Sequence, residues 1–133
     1  MNKLDGQIVR IESSEHMSLI DVKVREDIFS AIVLETPVSA SYLKIGERLQ
    51  LLFKETEVLI AKNLTGLVSL RNRVKSRIKR LQKTQLLTKV VLDYNAAEIN
   101  AIILTRSAES LALKEGEDVE WLVKTNEISL LPV

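Results

Sequence analysis

Short apolar runs, each broken within a few residues by polar or turn-forming ones, set the pattern of this chain. Residues 7–11, 18–24, 29–34, 48–54 and 58–61 are β-branched or alternate in polarity, and residues 74–81, 88–94, 99–104, 119–124 and 128–131 repeat the arrangement. Such spans, bounded by Gly, Asn, Asp and Ser, predict strands. Between the third and fourth strand of each set, residues 39–43 and 107–111 predict a single helical turn. Ser39 and Ser107 suit an N-cap there, and Gly46 and Gly116 suit a left-handed exit.

The two sets of strands are copies. An offset of 70 positions aligns them without a gap: Asn2 meets Asn72, Ile8 meets Ile78, Ala31-Ile32 meet Ala101-Ile102, and Gly46-Glu47 meet Gly116-Glu117. Lys54 meets Lys124. A repeat tested before local structure prevents misassignment of the fold. The chain therefore divides into two domains, 1–64 and 69–133, joined by a connector around Asn63 to Leu67. Five strands per copy at this spacing predict an all-β protein of two tandem OB-like five-stranded β-barrels, each with one short helical turn.

Residues 70–81 are the one stretch where a helix competes. Val74, Ile78 and Leu81 fall at i, i+4 and i+7, whereas Arg71, Arg73, Lys75, Arg77 and Lys79 alternate with period two. The partner segment Leu4-Asp5-Gly6-Gln7-Ile8 contains a glycine and makes a poor helix start, so both are read as strands. A barrel of this size buries about 60% of its unfolded surface and is marginal alone. Packing of the halves on each other and a homo-oligomer, dimer or trimer, are expected.

Composition removes several classes of chemistry. With no cysteine, the chain has no disulfide scaffold, thiolate metal site or cysteine nucleophile. A single histidine, His16, in a polar loop gives no basis for a histidine metal site or acid–base pair. The four glycines are isolated, so no phosphate-cradling loop is present. A non-enzymatic role is expected, with no cofactor. No apolar run approaches the roughly 20 residues of a membrane span, and no apolar stretch of signal-peptide length stands at the start. A cytoplasmic location without membrane partners is expected.

Charge is uneven although the net value is +1. Residues 1–66 hold 8 Lys/Arg against 10 Asp/Glu, a balance of −2, and residues 67–133 hold 11 against 8, a balance of +3. Residues 71–83 contain seven bases and no acid, a local field that favours an anionic partner. Aromatic residues are 4% of the chain, which provides little for stacking on nucleic-acid bases. A small anion fits better. In Ser69-Leu70-Arg71-Asn72, the hydroxyl and guanidinium lie two apart, hence on one face of an extended segment. Ser107 at the predicted helix start and Lys124 at a strand end supply further donors.

These segments resemble a known family. The S-x-R-N start at Ser69 to Asn72, the S-x-x-x-L-x-L-x-x-G run from Ser107 to Gly116, and the ending Val123-Lys124 are similar to the molybdate-binding Mop, or molbindin, domain of the TOBE group. The likeness spans the chain as a tandem pair and is stronger in the second half. It implies OB-like barrels that oligomerise and bind molybdate or tungstate at interfaces between domains, as an intracellular store or buffer. It nominates Ser69, Arg71, Asn72, Ser107, Lys124 and the amide of Thr125 as oxyanion donors. Thr105 stands one residue past the family's threonine position, and Lys54 is the first-half counterpart of Lys124. Lys62, just before the connector, is expected to play no part in binding, so Lys62→Ala should not weaken it. The first half departs from the pattern: Met1 precedes Asn2, Pro37 occupies the serine position and Glu55 follows Lys54. Its site is read as degenerate. The other readings are a sensing or interaction domain of a molybdate-responsive regulator with a decayed site, and a nucleic-acid-binding OB module.

Overall fold

A computed structural model describes residues 1–133. The chain is nearly all β, with ten strands: β1 (Asn2–Ser14), β2 (Met17–Val24), β3 (Asp27–Val33), β4 (Arg48–Phe53), β5 (Leu59–Ala61), β6 (Asn72–Lys83), β7 (Leu87–Tyr94), β8 (Ala97–Leu104), β9 (Asp118–Val123) and β10 (Ser129–Pro132). The helical pieces are one α-helix, α1 (Thr105–Ser110), and two single 3-10 turns, Glu55–Glu57 and Thr125–Glu127. Every expected strand is present, and residues 72–83 form a strand. There Asn72, Val74, Ser76 and Ile78 point inward, and the intervening bases point out or lie half-buried. Period two prevails over the i, i+4 spacing because the neighbours of β6 supply a core for one face only.

Two five-stranded sheets result, in the orders β10-β4-β1-β2-β3 and β5-β9-β6-β7-β8. The last strand of each repeat therefore pairs outside its own repeat: β5 with β9, and β10 with β4. The contacts group Met1–Phe53, Leu70–Asn72 and Lys124–Val133 as unit 1, and Lys54–Ser69 with Arg73–Val123 as unit 2. This grouping differs from the sequence division at 64 and 69. The reason lies in the register. Leu59 faces Leu122 and Ser129 faces Leu52, pairings that superpose at the offset of 70. The closing strand of either repeat thus fits either sheet, and a repeat read from sequence does not say which it completes.

In unit 1, β10 also packs on β3 across the open side of the sheet, and in unit 2 β5 packs on β8 in the same way. The core of unit 1 holds Ile8, Ile20, Val22, Phe29, Leu49, Leu51 and Phe53. That of unit 2 holds Ile78, Val90, Leu92, Ile99, Val123 and Trp121, with Tyr94 edge-on to the indole at 5.6 Å. Each such side chain contributes roughly 1.5–3 kcal/mol by leaving water. Trp121 is wholly buried because its indole N–H donates to Ser76 Oγ at 2.9 Å. The counterpart of Ser76 is Gly6, where a Cβ would come within 2.5 Å of Val22 Cγ1, so glycine there permits close strand packing.

Each long strand carries a bulge, between Ile8 and Arg10 in β1 and between Ile78 and Arg80 in β6. The loop before the fourth strand docks beside it. The Gly46 and Gly116 amides donate to the Ile8 and Ile78 carbonyls, each at 2.8 Å, and Ile8 N and Ile78 N donate back to Glu47 O and Glu117 O at 2.9 Å. Both glycines are left-handed, φ 93° and 90°, a conformation that glycine adopts without penalty.

The helical turns differ from expectation. In unit 2 the helix starts at Thr105, two residues before Ser107, with Leu104 in the cap position and no side-chain cap. In unit 1 residues 37–42 form turns and no α-helix. There the Ser39 hydroxyl accepts from Thr36 N at 2.9 Å, and Thr36 Oγ1 accepts from Ser39 N at 3.4 Å. This reciprocal pair has the form of a capping box, and Ala40 N donates to Thr36 O at 2.8 Å, yet the segment stops after this turn.

Candidate functional site

Around β3 of unit 1 the structure gathers four of the residues expected to bind an oxyanion: Arg71, Asn72, Lys124 and Thr125. Asn72 is buried, and its side chain grips the backbone of Ser30: Oδ1 accepts from Ser30 N at 2.7 Å and Nδ2 donates to Ser30 O at 2.9 Å. A carboxamide carries the same donor–acceptor pair as a peptide unit, so Asn72 acts as one more residue on the outer edge of β3. Its amide is spent on this clamp. The clamp fixes on β3 the segment that carries Arg71.

Arg71 itself is exposed and lines a small cleft of about 150 Å3 with Arg10, Glu12, Leu19 and Asp21. Asp21 also accepts from Ser30 Oγ at 2.7 Å. The 3-10 turn Thr125–Glu127 packs on β3, with Lys124 in its cap position and the Lys124 carbonyl accepting from Glu127 N at 3.0 Å. Lys124 is exposed and Thr125 half-buried. The ends of two segments far apart in sequence, 70–72 and 124–125, are thus both held alongside one strand.

Unit 2 holds the other four: Ser69, Lys54, Thr105 and Ser107. Thr105 is buried; its hydroxyl meets Thr88 Oγ1 at 2.8 Å and donates to Thr84 O at 2.8 Å, and its amide donates to Leu86 O at 2.8 Å. These bonds tie the start of α1 to Thr84, Leu86 and Thr88. Ser107 lies in the third position of α1, half-buried, on a groove of about 440 Å3 that it shares with Thr56 and with leucines 59, 87, 104 and 111. Lys54 precedes the 3-10 turn Glu55–Glu57, which packs on β8. The neighbouring Glu55 carboxylate lies 3.9 Å from Lys89 Nζ. Ser69 and Lys54 are exposed.

The basic run 71–83 is partly offset by acids that fold against it. Arg73 forks onto Glu120 with bonds of 3.1 and 3.0 Å. Lys79 and Arg80 share Glu98 at 2.7 and 3.5 Å, and Lys83 lies 3.8 Å from Glu109. Lys79 first, and Arg80 after it, hold the Glu98 carboxyl below the usual carboxylate range. The field inferred from residues 71–83 alone is therefore partly cancelled in the folded chain, a cancellation invisible in sequence because the paired acids lie 18 to 47 positions away.

Sequence reasoning missed Lys62. Its ammonium donates to Leu111 O at 3.0 Å and Ala112 O at 3.1 Å and pairs with Glu117 at 3.1 Å. Glu117 also accepts from Lys114 N at 2.9 Å, and that bond first, then Lys62, keeps its carboxyl below the ordinary range. No local signal marks a lysine at the end of β5 for this work.

Comparison with known proteins agrees with this architecture. Residues 69–130 match the TOBE domain. No curated protein sequence matches the chain. Among solved structures, the cytoplasmic molybdate-binding protein ModG, in a crystal form with molybdate bound, superposes with a TM-score of 0.91 at 20% identity, covering 99% of this chain and 96% of that one. The chain thus has the fold of ModG from end to end, and its second half carries the sequence pattern of a TOBE domain.

Proposed function

We propose that the protein binds molybdate or tungstate and acts as a non-enzymatic intracellular store or buffer for the oxyanion. The observation that carries this reading is the end-to-end likeness to molybdate-bound ModG, reinforced by the TOBE match over residues 69–130. The donor chemistry supports it. Arg71, Lys124 and the amide of Thr125 lie along β3, with Ser69, Ser107 and Lys54 in unit 2, and all offer N–H or O–H groups or positive charge. A tetrahedral dianion needs donors of this kind and no acceptor. Asp21 and Glu12 offset part of the positive charge of Arg10 and Arg71, and Glu55 beside Lys54 opposes a dianion there, so fewer sites than repeats are expected.

Calorimetric titration with molybdate, tungstate, sulfate and phosphate tests the reading. Binding of the first two at micromolar concentration is expected, weakened by Arg71→Ala and by Lys124→Ala. Absence of heat with every anion, from a well-folded oligomer, would instead favour an interaction scaffold.

A further inference from the structure

Residues 105–112 and 35–42 occupy the same place in the two repeats, yet the first forms α1 and the second forms turns. A helix of six residues is far below the length at which helices persist alone, so α1 exists by virtue of its anchors. At its start stands the buried Thr105 hydroxyl, bonded to Thr88 and Thr84; the counterpart in the first repeat is Glu35.

The far end closes with two backbone bonds, Ala112 N to Glu109 O at 2.9 Å and Leu113 N to Ala108 O at 3.1 Å, around a left-handed Ala112 with φ 49°. This Schellman arrangement leaves the Leu111 and Ala112 carbonyls over. Lys62 takes both, from a side chain 23% exposed, and Glu117 neutralises it. A cation at a helix C-terminus is favourable. The counterpart of Lys62 is Pro132, which offers no donor. In the first repeat Ser18, the counterpart of Thr88, still donates to Glu35 O at 2.6 Å and Thr36 and Ser39 cap a turn; what that repeat lacks is a cation on its final carbonyls, and it has no helix.

We propose that Lys62 is a positioning residue for oxyanion binding: by holding the end of α1 it keeps Ser107 in the helical placement from which its hydroxyl reaches the ligand. The proposal rests on Ser107 being a ligand donor. If loss of Lys62 leaves α1 formed about a tenth of the time, apparent affinity falls about tenfold, because binding then includes the formation of the helix.

The test titrates sodium molybdate into the wild type, Lys62→Met, Lys62→Arg, Ser107→Ala and the double variant Lys62→Met/Ser107→Ala, with amide exchange followed at residues 111–113. Lys62→Met is expected to bind about tenfold more weakly, with faster exchange at 111–113 and unchanged exchange in β7. Lys62→Arg should recover most of the affinity, since a guanidinium can serve the same carbonyls. The double variant should be no weaker than the weaker single variant, a coupling that general destabilisation does not produce. Wild-type affinity in Lys62→Met, or losses that multiply in the double variant, would overturn the positioning role. A wild type that takes up no molybdate would overturn the oxyanion reading as well, and unchanged exchange at 111–113 in Lys62→Met would overturn the positioning role alone.

Discussion

Replacing Asn72 by alanine removes the clamp that holds segment 70–72 on β3. The Ser30 N–H and C=O, in a residue 2% exposed, then lose bonds of 2.7 and 2.9 Å. An unpaired buried polar group costs about 1–3 kcal/mol, so the pair costs about 2–6 kcal/mol, the upper end applying if water does not enter. Against a typical stability of about 5–15 kcal/mol this is a large fraction. Asn72→Asp separates the two bonds. Its carboxylate still accepts from Ser30 N but opposes Ser30 O, and it recovers a donor on protonation. The aspartate's folded-state pKa is therefore raised. The stabilising protonated form is fully available below the unfolded value of about 3.9 and is lost as pH rises through the folded value. Asn72→Asp should come closest to the wild type in acid and fall furthest below it at neutral pH.

Urea unfolding followed by circular dichroism gives the cost, while Trp121 fluorescence reports unit 2 separately. A loss in Asn72→Ala below about 0.5 kcal/mol, within the range of an ordinary surface substitution, would refute the clamp.

Ser76→Ala should cost about 1–3 kcal/mol in urea unfolding, because the wholly buried Trp121 N–H loses its acceptor. Ala112→Gly should raise the unfolding midpoint by an amount equivalent to about 1 kcal/mol, since glycine relieves the left-handed backbone at φ 49°. The Tyr42 phenol, pushed up to about 12 by burial and by its bond to Glu35, should titrate there in ultraviolet difference spectra, and Glu35→Gln should bring it back toward 10. Its protonated form is favoured by folding, so that contribution is complete below pH 10 and disappears as pH rises through about 12.

The strands were legible because polarity alternates wherever one face of a sheet meets the core, and the offset of 70 residues settled the ambiguous segment 70–81 by comparison with Leu4 to Ile8. Strand exchange was not legible, since β5 and β10 present equivalent registers to equivalent edges. At the candidate site, the pattern Ser69 to Asn72 located the segment but not the division of labour within it. Asn72 and Thr105, themselves among the expected donors, are buried and hydrogen-bonded within the fold, which residue type alone does not reveal. Nor did residue type distinguish α1 from the turns at 37–42. That difference goes with a partner distant in sequence, Lys62, which only the fold brings to the helix.

Oxyanion binding is tested most directly by titrating molybdate into the wild type and into Arg71→Ala and Lys124→Ala under matched conditions. The expected result is micromolar or tighter binding by the wild type, no competition from sulfate or phosphate at the same concentration, and a loss of about tenfold or more in each variant, since each removes a charged donor worth about 1.5–3 kcal/mol. A wild type with no heat of molybdate or tungstate binding, or variants indistinguishable from it, would contradict the assignment.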